Sequence, residues 1–112
     1  MPDQGIGVWS YGLYLPQRVM TAQEISEATK GVWSEDAVKN KLGIVQKKIP
    51  GEDDGTQEMA VHAAKDALTR GGIDPLSIDL ILCVGEEWKE YPLTTSALYV
   101  QGQIGADNAW GI

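Results

Sequence analysis

The stretch TQEMAVHAAKDALTRGGIDPLSIDLILCVG, residues 56–85, decides the fold. From Thr56 to Arg70 the apolar positions Met59, Ala60, Ala63, Ala64, Ala67 and Leu68 recur at the i, i+3, i+4, i+7 spacing of one helix face, and Gly71 and Gly72 stop the helix. Four of those six residues are alanine, so a neighbour is expected to pack very close to this face. IDPLSI (73–78) reads as a turn, with Asp74 as cap and Pro75 at the first position of a helical turn. DLILCVG (79–85) is apolar on both alternating faces, as in a central parallel strand covered by helices. Burying Leu80, Ile81, Leu82 and Val84 there is expected to contribute roughly 1.5–3 kcal/mol each before the entropic cost of ordering them.

Upstream, GIGVWSYGLYLP (5–16) mixes glycine with Ile6, Val8, Trp9, Tyr11, Leu13 and Tyr14. This suits a strand whose glycines admit close backbone contact, and Pro16 ends it. Thr21 and Glu24 form a capping box, predicting a short helix to about Ala28. A second short helix is predicted from Ser34, with Glu35 and Asp36 in its first turn, Gly43 past its end, and Val38 and Leu42 facing inward. Residues 44–49 read as a strand and 50–55 as a polar loop. After the loop 86–93, a helix over 94–104 is capped by Thr94 or Thr95 and stopped at Gly105, and ADNAWGI (106–112) begins another strand. This alternation of strands and helices predicts an α/β chain with a partly parallel sheet.

At 112 residues the chain is the size of one small domain, and 43% hydrophobic residues are enough for an ordinary core. A net charge of −7 without a dense basic patch argues against nucleic-acid binding. The apolar runs fall far short of the roughly 20 residues that span a bilayer, and MPDQGIGVW shows no secretory pattern, so neither membrane nor export is expected. Cys83 is the only cysteine, which excludes an intrachain disulfide, favours a reducing cytoplasmic location, and with a single histidine rules out a Cys/His zinc site within the chain. Cys83 lies inside LILCVG, where apolar surroundings keep a thiol protonated, so a packing role is expected. His62, with no acid placed to orient it, is expected to be structural or to lie at the solvent edge.

Taken together, GxYLPxRVxTxxEI (12–25), Trp33, LGIVQKKI (42–49), TxxxAxxAAxxAL (56–68), GIDPLSIDLIL (72–82), Pro92 and QIGA (103–106) resemble the start of the thiolase-superfamily condensing enzymes. The similarity is to 3-oxoacyl-acyl-carrier-protein synthase III and 3-hydroxy-3-methylglutaryl-CoA synthase. It implies that residues 1–112 are the N-terminal portion of a thiolase-like α/β/α/β/α fold with a mixed, largely parallel sheet. It also implies a homodimeric, cytoplasmic acyltransferase of fatty acid or isoprenoid biosynthesis. Such an enzyme performs Claisen-type carbon–carbon condensation of acyl thioesters through a cysteine nucleophile. That cysteine is expected a few residues beyond Ile112, so the chain alone is expected to be inactive without the remainder of the polypeptide. No metal or tightly bound cofactor is implied. CoA or phosphopantetheine thioesters are the substrates, with acyl-CoA or acyl carrier protein as the partner. A noncatalytic α/β module that binds a partner subunit or acyl carrier protein is the alternative.

The resemblance also assigns site residues. Val84, Gly85, Glu86 and Glu87 fit the Val-Gly-x-Glu pattern of the HMG-CoA synthase branch, which makes Glu87 the candidate general acid/base, with Glu86 as the fallback. A base is needed because the cysteine-bound acetyl group must lose a methyl proton before its enolate attacks a ketone, and the site must raise the carboxylate's ordinary pKa of about 4.3 to make it effective. The two adjacent glutamates cannot both be dry and ionised, so one is expected to face the site and the other water. Trp33 occupies the region where synthase III stacks a tryptophan on the adenine of CoA, with a hydrophobic staple as the alternative role. Of Lys47 and Lys48, which alternate across a strand, at most one can approach a phosphate. The choice between the two branches stays open on sequence.

Overall fold

The computed structural model describes residues 5–85 and 88–112. The described residues divide into two compact units, one of residues 15–54 and one of residues 5–14 with 55–85 and 88–112.

In the 15–54 unit, β1 (Val19–Thr21) leads directly into α1 (Ala22–Ala28). The predicted capping box is complete: the Glu24 N–H donates to Thr21 Oγ1 at 3.2 Å, and the Thr21 N–H donates to Glu24 Oε2 at 2.7 Å. The backbone bond from Thr21, followed by its hydroxyl, holds the Glu24 carboxyl below its ordinary range. β1 pairs antiparallel with β2 (Gln46–Lys48), Met20 opposite Lys47. The segment predicted as a second helix forms a wide π-type turn over Ala37–Lys41, in which the Leu42 N–H bonds the Ala37 carbonyl five residues back. In such a turn residues four apart no longer share a face. Val38 is accordingly fully buried while Leu42 is exposed, contrary to the expectation that both face inward.

The other unit is organised on α2 (Thr56–Gly71), which ends at Gly72 in the left-handed conformation (φ 59°). Asp74 Oδ1 then accepts the Leu76 N–H at the head of a 3₁₀ turn over Pro75–Ser77, as the sequence predicts. Next come β3 (Leu80–Ile81), α3 (Ser96–Ile104) and β4 (Trp110–Gly111), a β–α–β unit whose two strands pair in parallel. The ladder extends past both strands, because the Cys83 N–H bonds the Ile112 carbonyl and the Ile112 N–H bonds the Ile81 carbonyl, each at 3.0 Å. α2 packs on α3, and the buried residues of the pair are Gln57, Val61, Ala97 and Val100.

Two expectations are corrected here. Residues 5–16 form no strand ladder among the described residues; instead residues 9–13 are stitched along α2. Trp9 Nε1 donates to the Gly71 carbonyl (3.1 Å), Ser10 Oγ to the Ala67 carbonyl (2.8 Å), and the Leu13 N–H to Asp66 Oδ2 (3.0 Å). That last bond, then Arg70, lowers the Asp66 pKa. The second correction is β3, which is not a fully buried strand: Leu80, Leu82 and Val84 are 48%, 62% and 94% exposed. Burial on both faces needs a layer on each side of a sheet. A two-stranded pair with one helix crossing over it meets that need only in part.

The close packing predicted for the alanine face is present at Gly12. A methyl group there would overlap the Ala63 carbonyl oxygen and the Ala67 nitrogen, and would stand 3.0 Å from Ala67 Cα. Gly12→Ala is therefore expected to lower stability by about 1–3 kcal/mol, read as a reduced denaturant midpoint with an unchanged slope. An unchanged midpoint would show that the segment is not held against α2.

Candidate functional site

Parallel pairing puts the C-terminal ends of β3 and β4 side by side, and open α/β sheets take ligands in the crevice beyond such ends. A cleft of about 130 Å³ lies there, lined by Cys83, Gly85, Lys89, Thr95, Ser96, Ala97 and Ile112. Thr95 holds the N-cap position of α3 without a side-chain cap bond, so the first turn of that helix, with N–H groups that lack intrahelical acceptors, forms one side of the cleft. Strand ends form the other side. Cys83, expected to be packing, is exposed and lines this cleft, because the ladder carries it past the cover of α3.

The wall that carries Lys89, Thr95 and Ser96 is tied down from behind by α2. Gln57 is 1% exposed, and its carboxamide is used on both sides. Oε1 accepts the Tyr91 N–H at 3.0 Å, while Nε2 donates to the Thr94 carbonyl at 3.3 Å and to Ser96 Oγ at 3.2 Å. Glu90 bonds the start of the same helix, its Oε1 accepting the Glu58 N–H at 2.8 Å. Oε2 is buried without a partner of good hydrogen-bond geometry. Desolvation is the largest influence on the Glu90 carboxyl and pushes its pKa up. The backbone N–H groups around it, from Gln57, Glu90, Glu58 and Thr56, outweigh that together and leave the pKa lowered. A carboxylate at a helix N-terminus is also favoured by the macrodipole. The Tyr99 hydroxyl bonds Glu58 Oε1, which raises the phenol pKa, and the Tyr99 ring lies 4.9 Å from that of Tyr91 at a tilt of 35°.

The residues singled out by sequence are distributed unevenly. Glu86 and Glu87 lie outside the described residues; Gly85, which precedes them, lines the cleft. Trp33 belongs to the 15–54 unit and is 43% exposed, and its backbone N–H donates to Thr29 Oγ1 at 3.3 Å. Lys47 and Lys48 are both exposed on β2, and Lys48 Nζ reaches the Gln17 carbonyl at 3.5 Å. His62 is exposed and stacks on Tyr14, with ring centroids 4.9 Å apart, as suits a residue at the solvent edge. Sequence reasoning missed Gln57 and Glu90. The first had a signal, a polar residue four positions before Val61 on a helix. The second reads in sequence as one more loop charge. Among the described residues no three His, Cys, Asp or Glu side chains group as a metal site, and no helix is long and apolar enough to cross a membrane.

No family model matches the chain. It is 37% identical over 105 residues to a hydroxymethylglutaryl-CoA synthase of Archaeoglobus fulgidus, covering 92% of this chain and 29% of that protein. It is 27% identical over 109 residues to a β-ketoacyl-[acyl-carrier-protein] synthase III of Symbiobacterium thermophilum, covering 97% of this chain and 32% of that protein. The crystal structure of 3-oxoacyl-[acyl-carrier-protein] synthase III from Aquifex aeolicus superposes with a TM-score of 0.72 at 26% identity, over 96% of this chain and 34% of that one. The chain thus spans about a third of the length of these relatives. It carries a segment of the thiolase-like fold of condensing enzymes. Its homologues are, more narrowly, hydroxymethylglutaryl-CoA synthases and ketoacyl synthases III.

The lowered pKa of Glu90 predicts an acid-sensitive clamp. Because the folded value lies below the ordinary 4.5, the stability it contributes is present above that pH and is lost as pH falls through the folded value. Glu90→Gln is expected to lower the melting temperature at neutral pH and to flatten its decline between about pH 5 and 3. A parallel decline in parent and variant would remove Glu90 from the cap.

Proposed function

We propose that residues 1–112 are the N-terminal part of the first thiolase-like half of a longer polypeptide. That polypeptide joins acyl thioesters by Claisen-type condensation through a cysteine beyond Ile112. The observation that carries this reading is the 37% identity to a hydroxymethylglutaryl-CoA synthase over 92% of the chain, and the Val84-Gly85-Glu86-Glu87 sequence supports it. The higher identity to that protein than to the synthase III favours the hydroxymethylglutaryl-CoA synthase branch. Substrates of this branch are CoA thioesters; a carrier-protein phosphopantetheine thioester would mark the other. The reading includes no tightly bound cofactor, a homodimer and a cytoplasmic location.

In this reaction the acetyl group rests on the cysteine as a thioester. The Glu87 carboxylate removes a proton from its methyl carbon, and the resulting enolate forms a carbon–carbon bond to the ketone of acetoacetyl-CoA. The protonated carboxyl returns its proton to the new alkoxide, and water then cleaves the product from sulfur. Glu86 is the fallback for this role, and Trp33 stacks on the nucleotide end of CoA.

In the polypeptide that carries this segment, Glu87→Ala is expected to cut condensation by about 10²–10⁴-fold while the cysteine still takes up labelled acetyl from acetyl-CoA. Equal loss of both steps would make Glu87 structural, and unchanged condensation would pass the role to Glu86. Trp33→Ala is expected to raise KM for the CoA thioester by about tenfold and to leave KM for the shorter pantetheine thioester unchanged. Equal effects on the two substrates would place Trp33 away from the nucleotide.

A further inference from the structure

Gln57 does not line the cleft, yet it bonds Tyr91 and Thr94 of the loop between β3 and α3 and Ser96 at the start of α3. Among fully buried side chains it is the largest, and it is the only polar one among the described residues. A buried carboxamide is tolerated when each of its polar atoms is used, and here all of them are spent on one target. Oε1 holds Tyr91, and Nε2 holds Thr94 and Ser96. The start of α2 adds further polar links through its backbone N–H groups to Glu90 and through Glu58 to Tyr99.

The consequence concerns Ser96 most directly. Its side-chain oxygen accepts from Gln57, so the serine that opens α3 is held from the α2 side while the same residue lines the cleft. Thr95 lies between two residues bonded by Gln57, and Lys89 precedes the Glu90 and Tyr91 anchors. The strand side of the cleft, Cys83 and Ile112, is set independently by the parallel ladder. The cleft therefore has one wall built by sheet pairing and one wall tied to α2, by the Gln57 amide on both sides of Thr95 and by Glu90 beside Lys89.

We infer that Gln57 is a positioning residue for this cleft: its buried carboxamide sets the wall formed by Lys89, Thr95 and Ser96 against the ends of β3 and β4. That the positioned cleft serves thioester condensation rests on the function proposed above; the geometric statement does not. Gln57 acts through the loop and does not itself line the cleft.

Cys83 offers a probe, since it is the only cysteine of the chain and lines the wall that Gln57 does not touch. In the 112-residue chain, Gln57→Leu is expected to raise the rate of Cys83 alkylation by iodoacetamide about threefold or more, with helical ellipticity retained. Gln57→Glu keeps the acceptor for Tyr91 and loses the donors. Its rate relative to the parent is expected to exceed one at pH 8 and to fall toward one as the introduced carboxyl is protonated and regains a donor. Val61→Ala loosens the α2 core without touching the loop and should leave the ratio at one. Ratios of one for both Gln57 variants, an equal rise in Val61→Ala, or loss of ellipticity in both Gln57 variants would each overturn the inference. In the polypeptide with condensing activity, Gln57→Glu should lower kcat about tenfold with KM within about twofold, and kcat should recover at low pH relative to the parent. If the parent condenses nothing while the alkylation ratios move as expected, the function fails and the positioning role stands.

Discussion

A buried amide has to satisfy an acceptor and two donors at once, and the chain around Gln57 is arranged to do that. The side chain is removed from water by the packing of α2 on α3, and leaving any of its atoms unpaired there would cost about 1–3 kcal/mol. Its partners are therefore constrained: the Tyr91 N–H, the Thr94 carbonyl and the Ser96 hydroxyl must come to it. Glu90 then adds a second tie at the same helix end, where backbone N–H groups favour its ionised form against the desolvation that opposes it. A loop that its composition would leave solvated becomes one wall of a cleft.

The same helix organises the rest of its unit by a different force. Along its alanine face the limit is steric, since Gly12 rests where no larger residue fits against Ala63 and Ala67. Hydrogen bonds from Trp9, Ser10 and Leu13 hold the segment in place. α2 thus carries a close-packed apolar edge and a polar, hydrogen-bonded end. Only the end bears on the cleft, and the cleft's other wall comes from the parallel pairing of β3 with β4, which needs the α3 crossover.

Much of the local structure could be read from residues alone. The capping box at Thr21 and Glu24, the glycine stops after α2 and α3, and the Asp74-Pro75 turn are short-range devices whose partners lie within a few residues. The order of elements from β2 to β4 was legible too, and the resemblance to condensing enzymes, carried by motifs spread along the chain, is supported by the homologues. Failures came where the partner is distant. Residues 5–16 have the composition of a strand, but their hydrogen bonds go to a helix more than fifty residues on. Leu42 looked inward by helical spacing until a π-type turn changed the period. Cys83 looked buried because its neighbours are apolar, whereas its exposure depends on how far α3 covers the ladder.

What the sequence determined by itself is the set of local conformations and the class of enzyme the chain is related to, because capping, turn chemistry and periodic apolar spacing act over one or two turns of chain. What only the tertiary structure decided is which polar side chains matter to the cleft. Gln57 and Glu90 are unremarkable in a list of residues. They acquire their roles because folding brings residues 57–58 and 90–96 together, and an amide or carboxylate out of water is governed by the partners it meets there.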